Sequence, residues 1–192
     1  GAAQGESWGG VTVNSDGNVL DAPVVGHASA KNKNADFDGD GKADISVFRA
    51  ASGTWFYLGS GTAGFRAVAF GQDGDIPVPG DYDGDGKTDA AVFRPATNTW
   101  YFQTKNAFNV RVFGEAGDIP AAADYDGDGR TDIAVFRPSS GTWYIRYSDS
   151  RSTFASYQFG ASGDKPVDGD YDGDGKADLA LFRPSTQTWY YL

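Results

Sequence analysis

The 192-residue chain has no cysteine, no methionine and a single histidine, His27. Without cysteine it can form neither a disulfide bond nor a thiolate metal site. One histidine cannot build the nitrogen-rich or sulfur-rich shells that zinc and copper prefer. No apolar run is long enough for a membrane-spanning helix, and no helical periodicity of useful length is present. The absence of helical periodicity favours an all-β chain.

Acidic residues outnumber basic ones by 26 to 16, which gives a formal net charge of −10. Such an excess of negative charge argues against a nucleic-acid partner. Hydrophobic residues make up 40% of the chain and aromatic residues 15%, so we expect a folded core rather than disorder. The 27 glycines and eight prolines are typical of a turn-rich β protein.

One nine-residue sequence, Asp-x-Asp-Gly-Asp-Gly-x-x-Asp, occurs four times. In the second copy Asp81, Asp83 and Asp85 place carboxylates at positions 1, 3 and 5. Lys87 offers its backbone carbonyl at position 7, its side chain being expected to face water, and Asp89 supplies position 9. Oxygen ligands at alternate positions, with glycine at position 6, match the first half of an EF-hand calcium loop. Position 12 is apolar rather than glutamate, so each loop leads into a strand.

The four loops predict four calcium ions, one in each loop. An all-oxygen, carboxylate-rich shell suits Ca²⁺ better than Mg²⁺, which gives up its water reluctantly. Four carboxylates in one loop also repel one another unless a cation lies between them. The alternative is a set of acidic surface turns without metal. The predicted ligands are Asp36, Asp38, Asp40, Lys42, Asp44, Asp81, Asp83, Asp85, Lys87, Asp89, Asp124, Asp126, Asp128, Arg130, Asp132, Asp170, Asp172, Asp174, Lys176 and Asp178.

The loops begin at intervals of 45, 43 and 46 residues, and the similarity continues beyond them. Each loop is followed by a strand-like run ending in Phe-Arg and then by Thr-Trp-aromatic; three copies continue to Phe-Gly and to Asp-x-Pro before the next loop. Four short strands in a period of 40–50 residues are typical of a β-propeller blade. We divide the chain into an N-terminal arm, 1–34, and a four-repeat domain, 35–192. The repeats are 35–79, 80–122, 123–168 and 169–192.

These loops and strand motifs resemble the FG-GAP/VCBS repeat family, the calcium-binding blades of integrin α-chain propellers and of some propeller lectins. The likeness covers about residues 35–192. It implies β-propeller blades with calcium in the loop between the first and second strands of each blade. It also implies extracellular adhesion or ligand binding. Many members of the family have seven blades, whereas this chain shows four loops.

The fourth repeat ends after its tryptophan strand and lacks a Phe-Gly strand. Residues 9–13, Gly-Gly-Val-Thr-Val, could supply that strand. We therefore predict a four-bladed propeller whose last blade is closed by the N-terminal strand, with residues 11–13 beside the strand of Trp189. Closure would remove an open sheet edge. The alternatives are an open half-ring, or a strand donated to a neighbouring molecule.

Three further residue types recur in the repeats, and each has a structural interpretation beside a binding one. The tryptophans could stack on sugars, but we favour packing between blades. The arginines after phenylalanine could bind an anionic partner, but we favour pairing with the chain's own carboxylates. The aspartates in the Gly-Asp turns are expected to cap those turns. These residues are Trp55, Trp100, Trp143 and Trp189; Arg49, Arg94, Arg137 and Arg183; and Asp75, Asp118 and Asp164.

No catalytic motif is evident in the sequence. Gly-x-Ser-x-Gly and the phosphate-binding Gly-Lys-Ser/Thr are both absent, and His27 has no visible partner to orient it. We expect a secreted, calcium-stabilised propeller without enzyme activity that binds glycan or protein partners in cell adhesion. One alternative is a structural subunit of an extracellular assembly that self-associates by strand donation. Another is a non-catalytic module of a larger secreted enzyme or adhesin.

Overall fold

Fourteen β-strands and one 3-10 turn, Ala50–Ser52, form the regular structure of the described residues. The computed structural model describes residues 35–61, 64–148 and 153–192. The predicted all-β fold is confirmed over this part of the chain. Within it, no helix has the length and apolar character needed to cross a bilayer.

The strands form four antiparallel sheets. The sheets do not coincide with the repeats divided above, because the two-residue strand at the end of each of the first three repeats joins the sheet of the next repeat. The first sheet contains β1 (Ile45–Arg49), β2 (Thr54–Leu58) and β3 (Phe65–Ala69). The second contains β4 (Ile76–Pro77), β5 (Ala90–Arg94), β6 (Thr99–Gln103) and β7 (Phe108–Val112). The third contains β8 (Ile119–Pro120), β9 (Ile133–Arg137), β10 (Thr142–Arg146) and β11 (Phe154–Gln158). The fourth contains β12 (Lys165–Pro166), β13 (Ala180–Arg183) and β14 (Thr188–Tyr191).

Each sheet is a meander whose strands follow one another in chain order. The register places the Phe of the Phe-Arg motif directly opposite the Trp of the next strand, as in Phe93 opposite Trp100. Their ring centroids lie 5.1 Å apart and the rings are tilted, an arrangement that aromatic pairs favour. The same pair recurs at Phe136 and Trp143, with centroids 5.5 Å apart. This cross-strand pair fixes which face of each sheet carries the tryptophan.

Successive sheets pack face to face through these aromatic residues. Trp100 and Phe93 of the second sheet form one core cluster with Ile133 and Val135 of the third. Trp143 of the third sheet lies in a second cluster that extends to the fourth sheet. The favoured interpretation of the tryptophans as packing residues is therefore confirmed for these two, both fully buried.

Over the described ranges, the first and fourth sheets each have one strand fewer than the second and third. In the described residues, no strand pairs with β1 on the side away from β2. The equivalent strands β5 and β9 have such a partner, in β4 and β8 respectively. Nothing in the described part of the chain pairs with the outer side of β14. The predicted closing strand, residues 11–13, and the rest of the N-terminal arm lie outside the described residues. Closure by that strand therefore stays a prediction.

Candidate metal loops and an adjacent cleft

Each acidic loop leads into the strand that carries the Phe-Arg motif, and it folds around the carboxylate at position 1. In the second loop Asp81 Oδ1 accepts hydrogen bonds from the backbone N–H groups of Gly84 at 2.7 Å and Asp85 at 3.1 Å. Asp81 Oδ2 accepts another from Gly86 at 2.8 Å. Gly84 has a φ of 77°, which glycine adopts at little cost. The spacing of aspartate and glycine thus fixes a tight turn before any ion is considered.

The aspartate at position 9 closes the loop. Asp132 Oδ2 accepts a hydrogen bond from the backbone N–H of Tyr125 at 2.9 Å. Its Oδ1 accepts one from the backbone N–H of Ser148 at 2.7 Å, just beyond β10. The Ser148 hydroxyl also donates to Asp128 Oδ2 at 3.0 Å. The third loop is therefore tied to the end of the hairpin that follows it.

Each loop brings three carboxylates together, with one oxygen of each lying within 4.8 Å of the others. Positions 1 and 3 belong to the cluster in every loop. Position 5 completes it in the first two loops, and position 9 completes it in the last two. The clusters are Asp36, Asp38 and Asp40; Asp81, Asp83 and Asp85; Asp124, Asp126 and Asp132; and Asp170, Asp172 and Asp178. These groups could hold a metal ion through oxygen ligands alone.

Two observations show that the donor set fits a hard cation. Asp83 Oδ2 is buried and has no hydrogen-bond partner, and an unsatisfied buried polar atom costs about 1–3 kcal/mol. Burial, with the repulsion of neighbouring carboxylates, raises the pKa of Asp89 to about 7. Burial in the same way raises the pKa of Asp132 to about 7. A cation bound in the second loop would give Asp83 Oδ2 a partner, and cations in the second and third loops would favour the ionised forms of Asp89 and Asp132.

The side chain at position 7 reaches back to the preceding loop instead of pointing only at water. Lys87 is exposed, yet its Nζ donates a hydrogen bond of 2.9 Å to the backbone carbonyl of Asp38. Arg130 lies against Gly84, where a Cβ atom would be 2.9 Å from its Nε. The expectation for position 7 was therefore incomplete, because the neighbouring loop could not be placed from sequence.

The arginines of the Phe-Arg motif pair with the aspartates of the Gly-Asp turns. Arg94 Nε lies 2.8 Å from Asp75 Oδ1, and its Nη2 donates to Asp75 Oδ2 at 2.9 Å. Asp75 Oδ2 also accepts the backbone N–H of Gln72, and Arg94 stands over the ring of Tyr101. The same geometry recurs for Arg137 with Asp118 and for Arg183 with Asp164. Carboxylate pairing and turn capping are both confirmed at these sites.

A cleft of about 260 Å³ lies between the second and third repeats. Its walls include three aromatic and three cationic side chains: Tyr82, Phe102, Tyr147, Arg111, Arg130 and Arg146. Asp83 of the second acidic loop and Thr131 of the third also line it. Among the described residues, none of the three arginines forms an ion pair with a carboxylate. The cleft is thus a locally cationic site beside two acidic loops.

The repeated motifs could not predict this cleft, because Arg111 and Arg146 do not recur at the equivalent places of the other repeats. Arg146 ends β10, at the place where β2 ends in Leu58 and β6 ends in Gln103. Arg111 pairs with the tryptophan of β6, where the first repeat has Val68. In the sequence, the two arginines are visible only as departures from the repeat. They indicate a binding site only once the strand pairing places both in one cleft.

The pattern of the FG-GAP-like repeat matches three times, at residues 36–92, 81–135 and 124–181. The chain belongs to the FG-GAP-like repeat family. Each match runs from one acidic loop through the three five-residue strands after it and through the next loop into the following strand. The FG-GAP unit therefore contains two successive loops. No curated protein sequence matches the chain significantly.

A solved structure with a similar fold is that of a lectin from Agrocybe aegerita, described as specifically recognising non-reducing terminal N-acetylglucosamine. The TM-score is 0.50 and the sequence identity is 22%, over 75% of this chain and 44% of the lectin chain. At this identity the likeness concerns the fold. The match extends over less than half of the lectin's length.

Proposed function

We propose that this FG-GAP repeat chain is a non-catalytic, calcium-stabilised β-propeller module that works outside the cell and binds glycans. The cleft between the second and third repeats carries the proposal, because it combines aromatic walls with convergent polar groups, as ligand sites do. The lectin of similar fold, described as recognising N-acetylglucosamine, adds support. The acidic surface continues to argue against nucleic acid as the partner.

Calcium is the metal that the loops suit best, with one ion in each of the four. The carboxylates of positions 1, 3, 5 and 9 and the carbonyl of position 7 would provide its oxygen ligands. Flexible, all-oxygen shells of this kind work at the calcium concentrations found outside cells. The role of the ion would be structural, since it would neutralise buried carboxylates and fix the loop conformation.

The charge of the cleft favours an acidic sugar over a neutral one. A guanidinium group recognises carboxylate or sulfate oxygens through paired hydrogen bonds. Arg111, Arg130 and Arg146 have no carboxylate partner in the described part of the chain, so all three can meet an anionic ligand. The volume of about 260 Å³ is below the roughly 300–1,000 Å³ of sites for drug-sized ligands, which suits one sugar ring and its substituents.

Binding is expected to depend on calcium, because two acidic loops form part of the cleft. Asp83 belongs to the predicted ligand set of the second loop, and Arg130 is at position 7 of the third. Removal of calcium would leave mutually repelling carboxylates in both walls. The distance between the arginines and the aromatic side chains would then no longer be fixed.

Calorimetry with uronic-acid, sulfated and N-acetylglucosamine oligosaccharides, in calcium and in chelator, tests this proposal. The matched variants are Arg146→Leu and Arg111→Val, which introduce the residues that the first repeat carries at these places. Arg66→Leu removes the same charge from an exposed strand outside the cleft.

We expect the acidic oligosaccharides to bind in calcium, and each cleft variant to lose at least tenfold in affinity while Arg66→Leu keeps it. Binding of the neutral sugar alone would contradict the acidic preference. Binding of acidic peptides without any sugar would show that the cleft serves a protein partner, and the glycan proposal would be wrong.

A further inference from the structure

Among the described residues, nothing covers one apolar face of the first sheet, whereas the same face of the other sheets is covered. The third residue of β1 is Val47, and its counterparts in the later repeats are Val92, Val135 and Leu181. Those three are at most 1% exposed, whereas Val47 is 61% exposed. Ile45, on the same face two residues earlier, is 75% exposed. The sequence is apolar at all four places, so the difference lies in what covers them.

In the fourth sheet it is the other face, the one that carries the tryptophan, that is exposed. The tryptophans of the first three repeats are at most 2% exposed, whereas Trp189 is 57% exposed. Tyr191, two residues along the same strand, is 58% exposed. The tryptophan face is thus buried in every repeat except the last, and the valine face is buried in every repeat except the first.

These two faces are the two halves of one contact that the chain already makes three times. Between the first and second sheets, a Cβ atom on Gly71 would lie 3.0 Å from Phe48 and 3.2 Å from Val92. Trp100 shares a core cluster with Val135, and Trp143 shares one with Leu181. In each case the tryptophan face of one sheet meets the valine or leucine face of the next.

We propose that a second copy of this chain covers both faces head to tail, with the fourth sheet of one copy packed on the first sheet of the next. The occupant is argued from continuity: the new contact repeats the internal one, and every copy offers both halves. Large apolar side chains exposed together on one face, as Val47 with Ile45 and Trp189 with Tyr191, mark interaction surfaces when they form a patch. Because the two faces differ, the contact is heterologous; it closes into a ring or continues as a filament according to the rotation between copies.

This contact joins faces of sheets and requires no exchange of strands. It predicts that single substitutions at exposed positions abolish assembly without unfolding the chain. Val47→Asp and Trp189→Asp place a charge in the centre of each face, and Tyr191→Asp provides a second variant for the fourth sheet. Val112→Asp is the matched control, since Val112 is 70% exposed on the outer strand β7.

Light scattering of the whole chain in calcium, over a range of protein concentrations, measures the effect. We expect assemblies in multiples of 20.3 kDa for the wild type and for Val112→Asp. All three variants should be monomers, and the melting temperature of Val47→Asp should equal that of wild-type monomer at high dilution. Trp189→Asp and Tyr191→Asp should melt lower, because each loses a ring contact within its own repeat, to Phe182 and to Tyr171 respectively.

Mixing two deficient variants tests the head-to-tail geometry. Val47→Asp retains an intact fourth sheet and Trp189→Asp an intact first sheet, so together they should form a 1:1 dimer that neither forms alone. A contact between two first sheets would instead give dimers of Trp189→Asp alone, and would overturn the proposal.

Three other results would also overturn it. The first is a wild type that stays monomeric at high concentration while Val47→Asp melts as it does. The second is a monomeric wild type whose melting temperature falls in both Val47→Asp and Trp189→Asp, since the two faces would then meet within one chain. The third is assembly that persists in both variants, which would place the contact elsewhere.

Discussion

The backbone N–H of Thr131 donates a hydrogen bond of 2.7 Å to the backbone carbonyl of Asp81, and this bond fastens the third acidic loop to the second. Equivalent bonds join Thr88 to Asp36 at 2.8 Å and Ala177 to Asp124 at 2.7 Å. In each case the acceptor is the position 1 residue, whose carboxylate is also a predicted metal ligand. The four loops therefore form one continuous series of contacts.

This series predicts that calcium binding in neighbouring loops is coupled. Asp126→Ala removes the position 3 carboxylate of the third loop and should abolish its site. The variant should also lower the calcium affinity of the second and fourth loops severalfold. The third loop is hydrogen-bonded to the position 1 carbonyl of the second loop and to the position 8 N–H of the fourth. Calorimetric titration measures both effects, with the exposed Asp73→Ala as control. If the remaining sites keep wild-type affinity, the hydrogen bonds between loops carry no coupling.

Calcium removal is expected to lower the melting temperature strongly. An ion that binds only the folded chain stabilises it by RT ln(1 + [Ca²⁺]/Kd), about 2.7 kcal/mol for each site at a hundredfold excess over Kd. The orphaned Oδ2 of Asp83 and the raised pKa of Asp89 indicate that the metal-free loops carry unfavourable interactions. Thermal melts in calcium, in magnesium and in chelator make the comparison. Identical curves in calcium and chelator would show that the loops are turns without a metal.

The ion pair between the buried Asp164 and the partly exposed Arg183 predicts that stability depends on pH. The hydrogen bonds from Arg183 lower the pKa of Asp164 below its usual value, although burial opposes this. A lowered pKa in the folded state stabilises the fold above the unfolded pKa of about 3.9, and this stabilisation is lost as the pH falls through the folded value. Asp164→Asn should therefore destabilise the fold more at pH 7 than at pH 3, which lies below the unfolded pKa.

Urea unfolding at the two pH values measures the difference, with Asp73→Asn as an exposed control. An equal cost at both pH values would mean that the ion pair contributes nothing beyond the shape of the side chain.

The ion pairs show which contacts could be predicted from the sequence and which could not. The repeat made it possible to predict that Arg94 has a carboxylate partner and that Asp75 caps its turn. It did not show that these are one contact, because the two residues are 19 positions apart. Only the pairing of β4 with β5, with Ile76 opposite Phe93, brings them together. The aspartate loops were predictable residue by residue because their turns are local.

The burial of the tryptophans could also be predicted only in part. Four nearly identical motifs predict four identical environments, and the structure confirms burial for three of them. Trp189 differs because its environment is set by the sheet that follows, and the fourth sheet has no following sheet in the described residues. The cleft arginines were missed for a related reason, since a site between two repeats depends on which of their residues face each other.

The close approach of neighbouring sheets predicts that the glycine of the Phe-Gly motif cannot be replaced. Gly160 has a φ of 134°, and a Cβ atom there would lie 2.7 Å from Leu181 Cδ1 and 2.8 Å from Phe136 Cε2. Gly160→Ala should therefore push the third and fourth sheets apart and cost about 1–3 kcal/mol of stability, as overpacked cores do. Backbone strain adds to this cost.

Gly163→Ala separates the two contributions. Gly163 also has a positive φ, 88°, but a Cβ atom there would meet nothing within 4 Å. Urea unfolding of both variants should show the smaller loss for Gly163→Ala, which measures strain alone. The excess in Gly160→Ala is then the cost of separating two sheets that pack through Phe136 and Leu181. Equal losses would mean that this contact between repeats is loose enough to admit a methyl group, and that the Phe-Gly glycine serves only the backbone.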